Sequence, residues 1–248
     1  MPRNRKILIL GGTREGRLLA DRLADAGHSV ITSLAGVTAE PPGRSGTVVR
    51  GGFGGVAGLV RFLAAERIDA IADATHPYAA RMAVHAVEAA RQAGVPCVRL
   101  ERSAWVPGPL DDWNGVADAE EAARLLPAGA RVFAAIGRKD IAPLFARGGI
   151  GGVARMIEAP EPDVPPAWTL LRARPPFEVS SEKELMAAHG ITWMVAKNSG
   201  GDDNFAKFVA ARECGVRVLM LRRPPKPEAP CRETIDALVQ LLRQTLLP

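Results

Sequence analysis

Two stretches of the chain hold residues whose types and spacing suit chemistry. The first is Gly11-Gly12-Thr13-Arg14-Glu15-Gly16, directly after the branched apolar run Ile7–Leu10. Glycines between a strand and a helix expose backbone N–H groups, and the helix start adds the positive end of its dipole, so the loop suits a phosphate. Aligned on G-x-G-x-x-G, Gly11 and Gly16 fill the outer positions and Thr13 takes the middle one. Its hydroxyl and N–H can serve a phosphate, while its Cβ limits how closely a pyrophosphate approaches. The second stretch is Lys197-Asn198-Ser199-Gly200-Gly201. It combines a cation, an amide, a hydroxyl and glycine N–H groups ahead of a helix, a cradle for a carboxylate or a phosphate.

Other constellations are missing. The chain has no H-E-x-x-H, no G-x-S-x-G and no G-x-x-x-x-G-K-[ST]. A short-chain dehydrogenase needs Tyr-x-x-x-Lys, but the single tyrosine is Tyr78 and Met82 stands four residues later. Cys97, Cys214 and Cys231 are odd in number and far apart, which fits neither a disulfide framework nor a metal site. An enzyme built this way must take its hard step from a cofactor, and hydride transfer fits. NAD-binding sheets usually place a carboxylate at the end of the second strand to grip the ribose. Thr32 and Ser33 stand in that neighbourhood instead, with Arg14 and Arg17 nearby in the first loop and helix, which points to NADP.

These loops need strands and helices to position them. Leu19, Leu23 and Ala26 recur at helical spacing after the first loop, and Gly27 closes that helix. His28–Leu34 reads as a second strand, running on into Ala35 and Gly36, and Thr47–Arg50 as a third. Gly51-Gly52-Phe53-Gly54-Gly55 follows, where backbone can pass close to a ligand or another segment. A helix from Val56 precedes the strand Ile68–Ala72 and the loop Asp73-Ala74-Thr75-His76-Pro77-Tyr78. Pro77 suits the first turn of the next helix, with Thr75 or His76 as its cap, and Val95–Leu100 is a fifth strand. The order β-α-β-β-α-β-α-β predicts a doubly wound parallel sheet whose loops converge at the strands' carboxyl ends.

Glu101–Val116 breaks this rhythm with prolines and tryptophans and reads as the passage to a second domain. There Arg131–Ile136, Val153–Ile157, Thr169–Arg172, Thr192–Ala196 and Val216–Leu221 read as strands. Helices are expected over Ser181–His189 with Ser180 or Ser181 as cap, over Asn204–Cys214 and over Glu233–Leu246. Basic residues follow the strands: Arg138 and Lys139, Arg155, Arg172 and Arg174, Lys197, and Arg222 with Arg223. The expected fold is therefore α/β, two Rossmann-like parallel-sheet domains with a cleft between them, over residues 1–102 and 115–248.

With 248 residues, 47% hydrophobic and 24% charged, the chain has the composition of a soluble globular protein. The net charge of +5 favours an acidic ligand, but Lys and Arg are spread rather than clustered. Nucleic acid is not an expected partner, and no stretch approaches the length of a membrane span. The apolar run that ends before Gly11 is too short for a signal peptide, so a cytoplasmic location is expected. The sequence sets no oligomeric state.

The combined motifs resemble the precorrin-6A reductase family of cobalamin biosynthesis. They are Gly11–Gly16, Gly51–Gly55, Asp73–Tyr78, Arg102 with Trp105, Arg174-Pro175-Pro176-Phe177, Lys197–Gly201 and Ala206-Lys207. Tyr78, Ser103 and Pro175 depart from the usual phenylalanine, proline and glycine. The resemblance implies NADPH-dependent reduction of a ring double bond in precorrin-6A, giving precorrin-6B, with the polycarboxylate macrocycle lying between the domains. Gly11, Gly12, Thr13, Arg14, Glu15 and Gly16 would hold the pyrophosphate, Ser33 and a nearby arginine the 2′-phosphate, and Gly51 and Gly52 more of the cofactor. Asp73, Ala74 and Thr75 would border the nicotinamide, with His76 and Tyr78 as possible acids; water or a ring nitrogen of the substrate are alternative proton sources. Arg138, Lys139, Arg174, Lys197, Asn198, Ser199, Gly200 and Gly201 would bind substrate carboxylates, with no metal in the protein. Two other readings stay open at this stage. One is a cobalt-containing substrate, the other a non-catalytic NADPH-binding module.

Overall fold

The computed structural model describes residues 4–34, 46–160 and 163–246. In chain order the elements begin β1 (Lys6–Leu10), α1 (Arg14–Asp25), β2 (Ser29–Leu34), β3 (Thr47–Arg50), α2 (Gly55–Ala65), β4 (Ala70–Asp73), α3 (Ala80–Ala93) and β5 (Cys97–Leu100). Next come β6 (Trp113–Val116), α4 (Ala119–Leu125), β7 (Arg131–Ala135), α5 (Ala142–Ala146), β8 (Gly151–Met156) and β9 (Trp168–Arg172). The chain finishes with α6 (Val179–Ala188), β10 (Trp193–Lys197), α7 (Ala206–Glu213), β11 (Arg217–Leu221), β12 (Cys231–Arg232) and α8 (Ile235–Thr245). Residues Ala35 and Gly36 of the second-strand reading lie outside the described residues.

The chain divides into two compact units, Met1–Arg102 with Pro224–Pro248, and Ser103–Arg223. The first holds a parallel sheet in the order β3-β2-β1-β4-β5-β12. Ile7, Leu8, Ile9 and Leu10 are all buried because helices cover both faces of β1. Ile7 and Ile9 pack with Leu19 and Leu23 of α1 and with Leu238 and Leu242 of α8. Leu8 and Leu10 pack on the opposite face with Leu59 and Leu63 of α2 and Ala86 and Ala90 of α3.

The second unit repeats the plan in the order β9-β8-β7-β10-β11-β6, again all parallel. The sixth strands are exchanged. β6 follows β5 in the chain but pairs with β11, Val218 opposite Trp113. β12 follows β11 but pairs with β5, Cys231 opposite Arg99. Residues 224–248 were expected in the second domain, and the structure groups them with the first unit. The reason is physical: α8 has an apolar stripe that seals the α1 face of the first sheet, and the return segment hydrogen-bonds β5, Arg99 N–H to Pro230 O and Glu101 N–H to Arg232 O.

Three local expectations also need correction. Residues 113–116, read as passage, form strand β6. Neither Thr75 nor His76 caps α3; Ala79 stands at that position without a side-chain cap, and Pro77 lies in a turn ahead of the helix. The cap of α6 is Glu178, so Ser180 and Ser181 fall inside the helix. The helix ends Thr13 and Thr234, in contrast, are capped by their own hydroxyls, which accept from Gly16 N–H and Ala237 N–H.

Candidate active site

In a sheet of this order, ligands bind where the chain's winding reverses, between the first strand and its neighbour on the reversed side. In the first unit that point lies between β1 and β4. The Thr13 Oγ1 hydroxyl spans it, donating to Ala74 O at 2.9 Å while accepting from Gly16 N–H at 3.0 Å. One hydroxyl thus caps α1 and ties it to the loop after β4.

The glycines set how closely these pieces approach. A Cβ on Gly16 would lie 3.4 Å from both the Ala74 Cβ and the Ala74 carbonyl oxygen, in van der Waals contact, so helix and loop are closely packed there. Gly12 has φ of +119° with open space where a Cβ would stand. That backbone leaves room for a phosphate against the first turn of α1. Glu15 sits in the same turn, where a carboxylate would oppose such a ligand. Arg102 engages it at 2.8 Å, and the second Glu15 oxygen is buried without a hydrogen-bond partner. A small pocket opens here, lined by Thr13, Glu15, Ala74, Thr75, Pro77, Leu100 and Arg102. Arg14 is exposed on α1.

Asp73 ends β4 and is only 1% exposed. Its Oδ1 accepts from the Thr75 N–H at 3.1 Å and the Thr75 hydroxyl at 2.7 Å, which shapes the loop. Its Oδ2 accepts from Arg99 Nε at 3.3 Å, and Arg99 Nη1 donates to Pro227 O at 3.0 Å. His76 Nδ1 accepts from the Tyr78 N–H at 3.3 Å, which leaves the Nε2 nitrogen of a neutral ring carrying the proton. The two rings lie 5.6 Å apart.

Ser33 is buried at the end of β2, and its carbonyl accepts from Gly11 N–H. Gly51 and Gly52 are exposed beyond the edge strand β3, two strands from β1. They therefore lie about 10 Å from the reversal point in the sheet direction, within the span of a dinucleotide but outside the Thr13–Ala74 bridge.

The second sheet reverses between β7 and β10, and an ion pair spans that point: Lys197, the last residue of β10, binds Asp140 in the loop after β7. Asn198 fixes the neighbouring chain, its Oδ1 accepting from Trp105 N–H at 2.8 Å and its Nδ2 donating to Trp105 O at 2.9 Å. The indole of Trp105 donates to Gly201 O at 2.9 Å, and Arg223 Nε donates to Asn198 O at 2.8 Å. Gly200 and Gly201 adopt positive φ of 68° and 77° in the turn that follows. Arg138 pairs with Glu158 at 3.4 Å after β7, while Lys139 and Arg174 are exposed. Arg138, Lys139, Asp140, Arg174 and Lys197–Gly201 lie at or after the ends of strands of one parallel sheet and so share its carboxyl edge.

Sequence reasoning placed Arg155 among the cations that follow strands and Lys207 in a motif, but did not foresee that both are buried, Arg155 within β8 itself. Arg155 of β8 makes a two-pronged pair with Glu182 of α6 and carries the Phe177 ring 3.7 Å from its guanidinium carbon. Lys207 of α7 is 5% exposed, and burial among apolar groups pushes its amine down to about 7, with Arg155 adding to the shift and Glu182 opposing it. A cation inside an apolar strand, as in Val-Ala-Arg-Met, was the available signal for Arg155.

The low Lys207 value fixes the sign of a pH effect. Between about 7 and the ordinary 10.5 the unfolded chain binds more protons than the folded one, so the cost of burying the charge is full below 7 and relieved as pH rises. The difference in Tm between a Lys207→Met variant and the parent is therefore expected to fall steadily from pH 6.5 to 9.5. Paired thermal melts check this; a constant difference would contradict the buried charge.

Among the described residues there is no cluster of three or more potential metal-ligating side chains, and no helix is long and apolar enough to cross a membrane.

Two parallel sheets of Rossmann order, with a polar loop contact across each reversal point, define a two-unit α/β protein of the nucleotide-cofactor type. Residues 6–243 match the family described as Precorrin-6x reductase CbiJ/CobK, and the chain belongs to that family. It is 46% identical over 233 residues to a precorrin-6A reductase of Rhodococcus erythropolis, covering 93% of each chain. It is 39% identical to the precorrin-6A reductase of Rhodobacter capsulatus, covering 94% of each. A solved structure described as CobK precorrin-6A reductase superposes with a TM-score of 0.91 at 38% identity, covering 97% of both chains. A cobalt-precorrin-6A reductase of Priestia megaterium is 27% identical over 256 residues, covering 95% of this chain and 97% of its own.

Proposed function

We propose that this protein reduces a ring double bond of precorrin-6A to give precorrin-6B in cobalamin biosynthesis, with NADPH as the donor and the cytoplasm as its location. The observation that carries the reading is the contrast between the two reversal points. The first is bridged by a hydroxyl beside an open glycine backbone, the second by a lysine amine amid cationic loops. A phosphate-bearing cofactor fits the first and a polycarboxylate the second. A non-catalytic cofactor-binding module would leave the second set unexplained. The metal-free macrocycle is favoured over its cobalt form because identity to precorrin-6A reductases reaches 46%, against 27% for the cobalt-precorrin-6A reductase of Priestia megaterium.

In this reading the first unit holds NADPH, which supplies hydride when bound. Gly11, Gly12 and Thr13 present N–H groups and a hydroxyl to the pyrophosphate, joined by the helix turn of Arg14, Glu15 and Gly16. Ser33 and Arg14 meet the 2′-phosphate, and Gly51 and Gly52 the adenosine end. Asp73 shapes Ala74 and Thr75 beside the nicotinamide. Arg138, Lys139, Arg174 and Lys197–Gly201 receive substrate carboxylates. Of the two candidate acids, His76 is preferred over Tyr78, because the Tyr78 N–H on Nδ1 sets the tautomer of a neutral ring with its proton on Nε2.

Titrating NADPH by its fluorescence and then adding precorrin-6A tests the whole reading. Nicotinamide absorbance is expected to fall by one equivalent per substrate; no loss with competent substrate refutes the reductase. Equal affinity for NADH would refute the 2′-phosphate contacts. His76→Ala is expected to lower kcat by about a hundredfold with NADPH affinity unchanged, and near-normal turnover removes it as the acid.

A further inference from the structure

We infer that Lys207 is a positioning residue for substrate binding, the post that holds the loop from Asn198 to Phe205 in shape from beneath. The inference rests on the reading of that loop as the carboxylate cradle.

Lys207 does not open onto the sheet edge. Its ammonium donates to Asn204 O at 2.6 Å, inside the same loop. It lies 5.1 Å from the Trp105 ring centroid and 4.6 Å from that of Phe208. Trp105 and Phe208 in turn contact each other edge-on at 4.9 Å. The amine therefore grips the loop at one end and the face of Trp105 at the other. Trp105 is the residue whose backbone is clamped by Asn198 and whose indole holds Gly201. The Trp105 contacts to Asn198 and Gly201 thus lead, within two steps, to the Lys207 amine.

A lysine is an expensive way to fill this space. An isolated buried cation is disfavoured, and a methionine would pack the same aromatic surroundings without that cost. The charged groups facing it are Arg155 from β8, which repels it, and Glu182 from α6, which attracts it but is already engaged twice by Arg155. No stability is gained from such an arrangement that an apolar residue could not supply. What only the amine supplies is a strong donor to a loop carbonyl together with an attraction to an aromatic face. Those are the two contacts that fix the cradle.

Steady-state kinetics of Lys207→Met, Lys207→Gln and Lys197→Met test this. Methionine at 207 is expected to raise KM for precorrin-6A about tenfold, with kcat within about threefold and KM for NADPH unchanged, the pattern of lost binding rather than lost chemistry. Glutamine keeps a donor for Asn204 O and is expected to restore part of the loss, which a purely space-filling role would not predict. An unchanged substrate KM at 207 alongside a raised one at 197 overturns the positioning role and leaves the cradle standing. Unchanged values at both positions overturn the cradle itself, and the inference with it. If the 207 variants do not fold, amide exchange in the unaltered protein decides. Corrected for intrinsic rates, residues 199–205 are expected to lose protection between pH 6 and 9 relative to residues 208–213 of α7, as the amine gives up its charge. Parallel behaviour of the two segments overturns the proposal.

Discussion

Replacing Arg99 with methionine is expected to lower the stability of the protein by about 3–5 kcal/mol, the cost of stranding a buried carboxylate. Asp73 is 1% exposed and Arg99 6%, so water cannot take the place of either partner. The Thr75 contacts satisfy one Asp73 oxygen, but the other relies on the guanidinium. The same guanidinium reaches Pro227 O, so its loss also loosens the segment that brings β12 to β5. For a domain of this size the loss corresponds to a fall in Tm of roughly 6–20 °C. Urea and thermal unfolding of Arg99→Met, Asp73→Asn and the double variant measure it. The double variant should recover more than about 1 kcal/mol relative to the sum of the singles, because the stranded charge is gone. A single variant within about 1 kcal/mol of the parent would show that the pair does not hold this edge together.

The second large effect is kinetic. Lys197→Met is expected to lower kcat/KM for precorrin-6A about a hundredfold, since it removes a charge-assisted contact to a substrate carboxylate, typically worth about 1.5–3 kcal/mol. Lys197 is the last residue of β10 and 17% exposed at its side chain, with Asp140 setting its direction across the reversal point. NADPH affinity is expected to stay at the parental value, because the cofactor loops belong to the other unit. Retention of full kcat/KM would remove Lys197 from the substrate site.

The first sheet was legible because its elements announce themselves. Ile7–Leu10 has the continuous apolar run of a strand covered on both faces, and Gly94 terminates α3 at φ of +67°, as a glycine at that place should. The loops at the carboxyl edge were legible for the same reason, being glycine-rich or charged breaks between apolar runs. What the sequence concealed were partnerships across long separations. β12 is two residues long and has no periodicity to read. β6, Trp-Asn-Gly-Val, exposes its middle and resembles a loop in composition. The place of α8 could not be read because amphipathicity reports that a helix has a buried face, not which sheet receives it. Around the site, Glu182 and Lys207 look like ordinary surface charges in one dimension, and only Arg155, set in an apolar run, gave a hint of burial. Only folding shows that they are enclosed.

The exchanged sixth strands bear on how the chain is made. A ribosome delivers residues in order, and all five leading strands of the first sheet emerge early. The partner for β5 arrives last: Arg99 and Pro227 are 128 positions apart. Until the final stretch leaves the exit tunnel, β5 is an open edge, the kind of surface that recruits other chains. The second sheet has the opposite history, since β6 is synthesised before any of its neighbours and must wait for β11. The second unit is contiguous and carries all its own strands, whereas the first is not, so cutting the gene between residues 102 and 103 would leave the N-terminal fragment without β12 and α8, both carried by the other fragment.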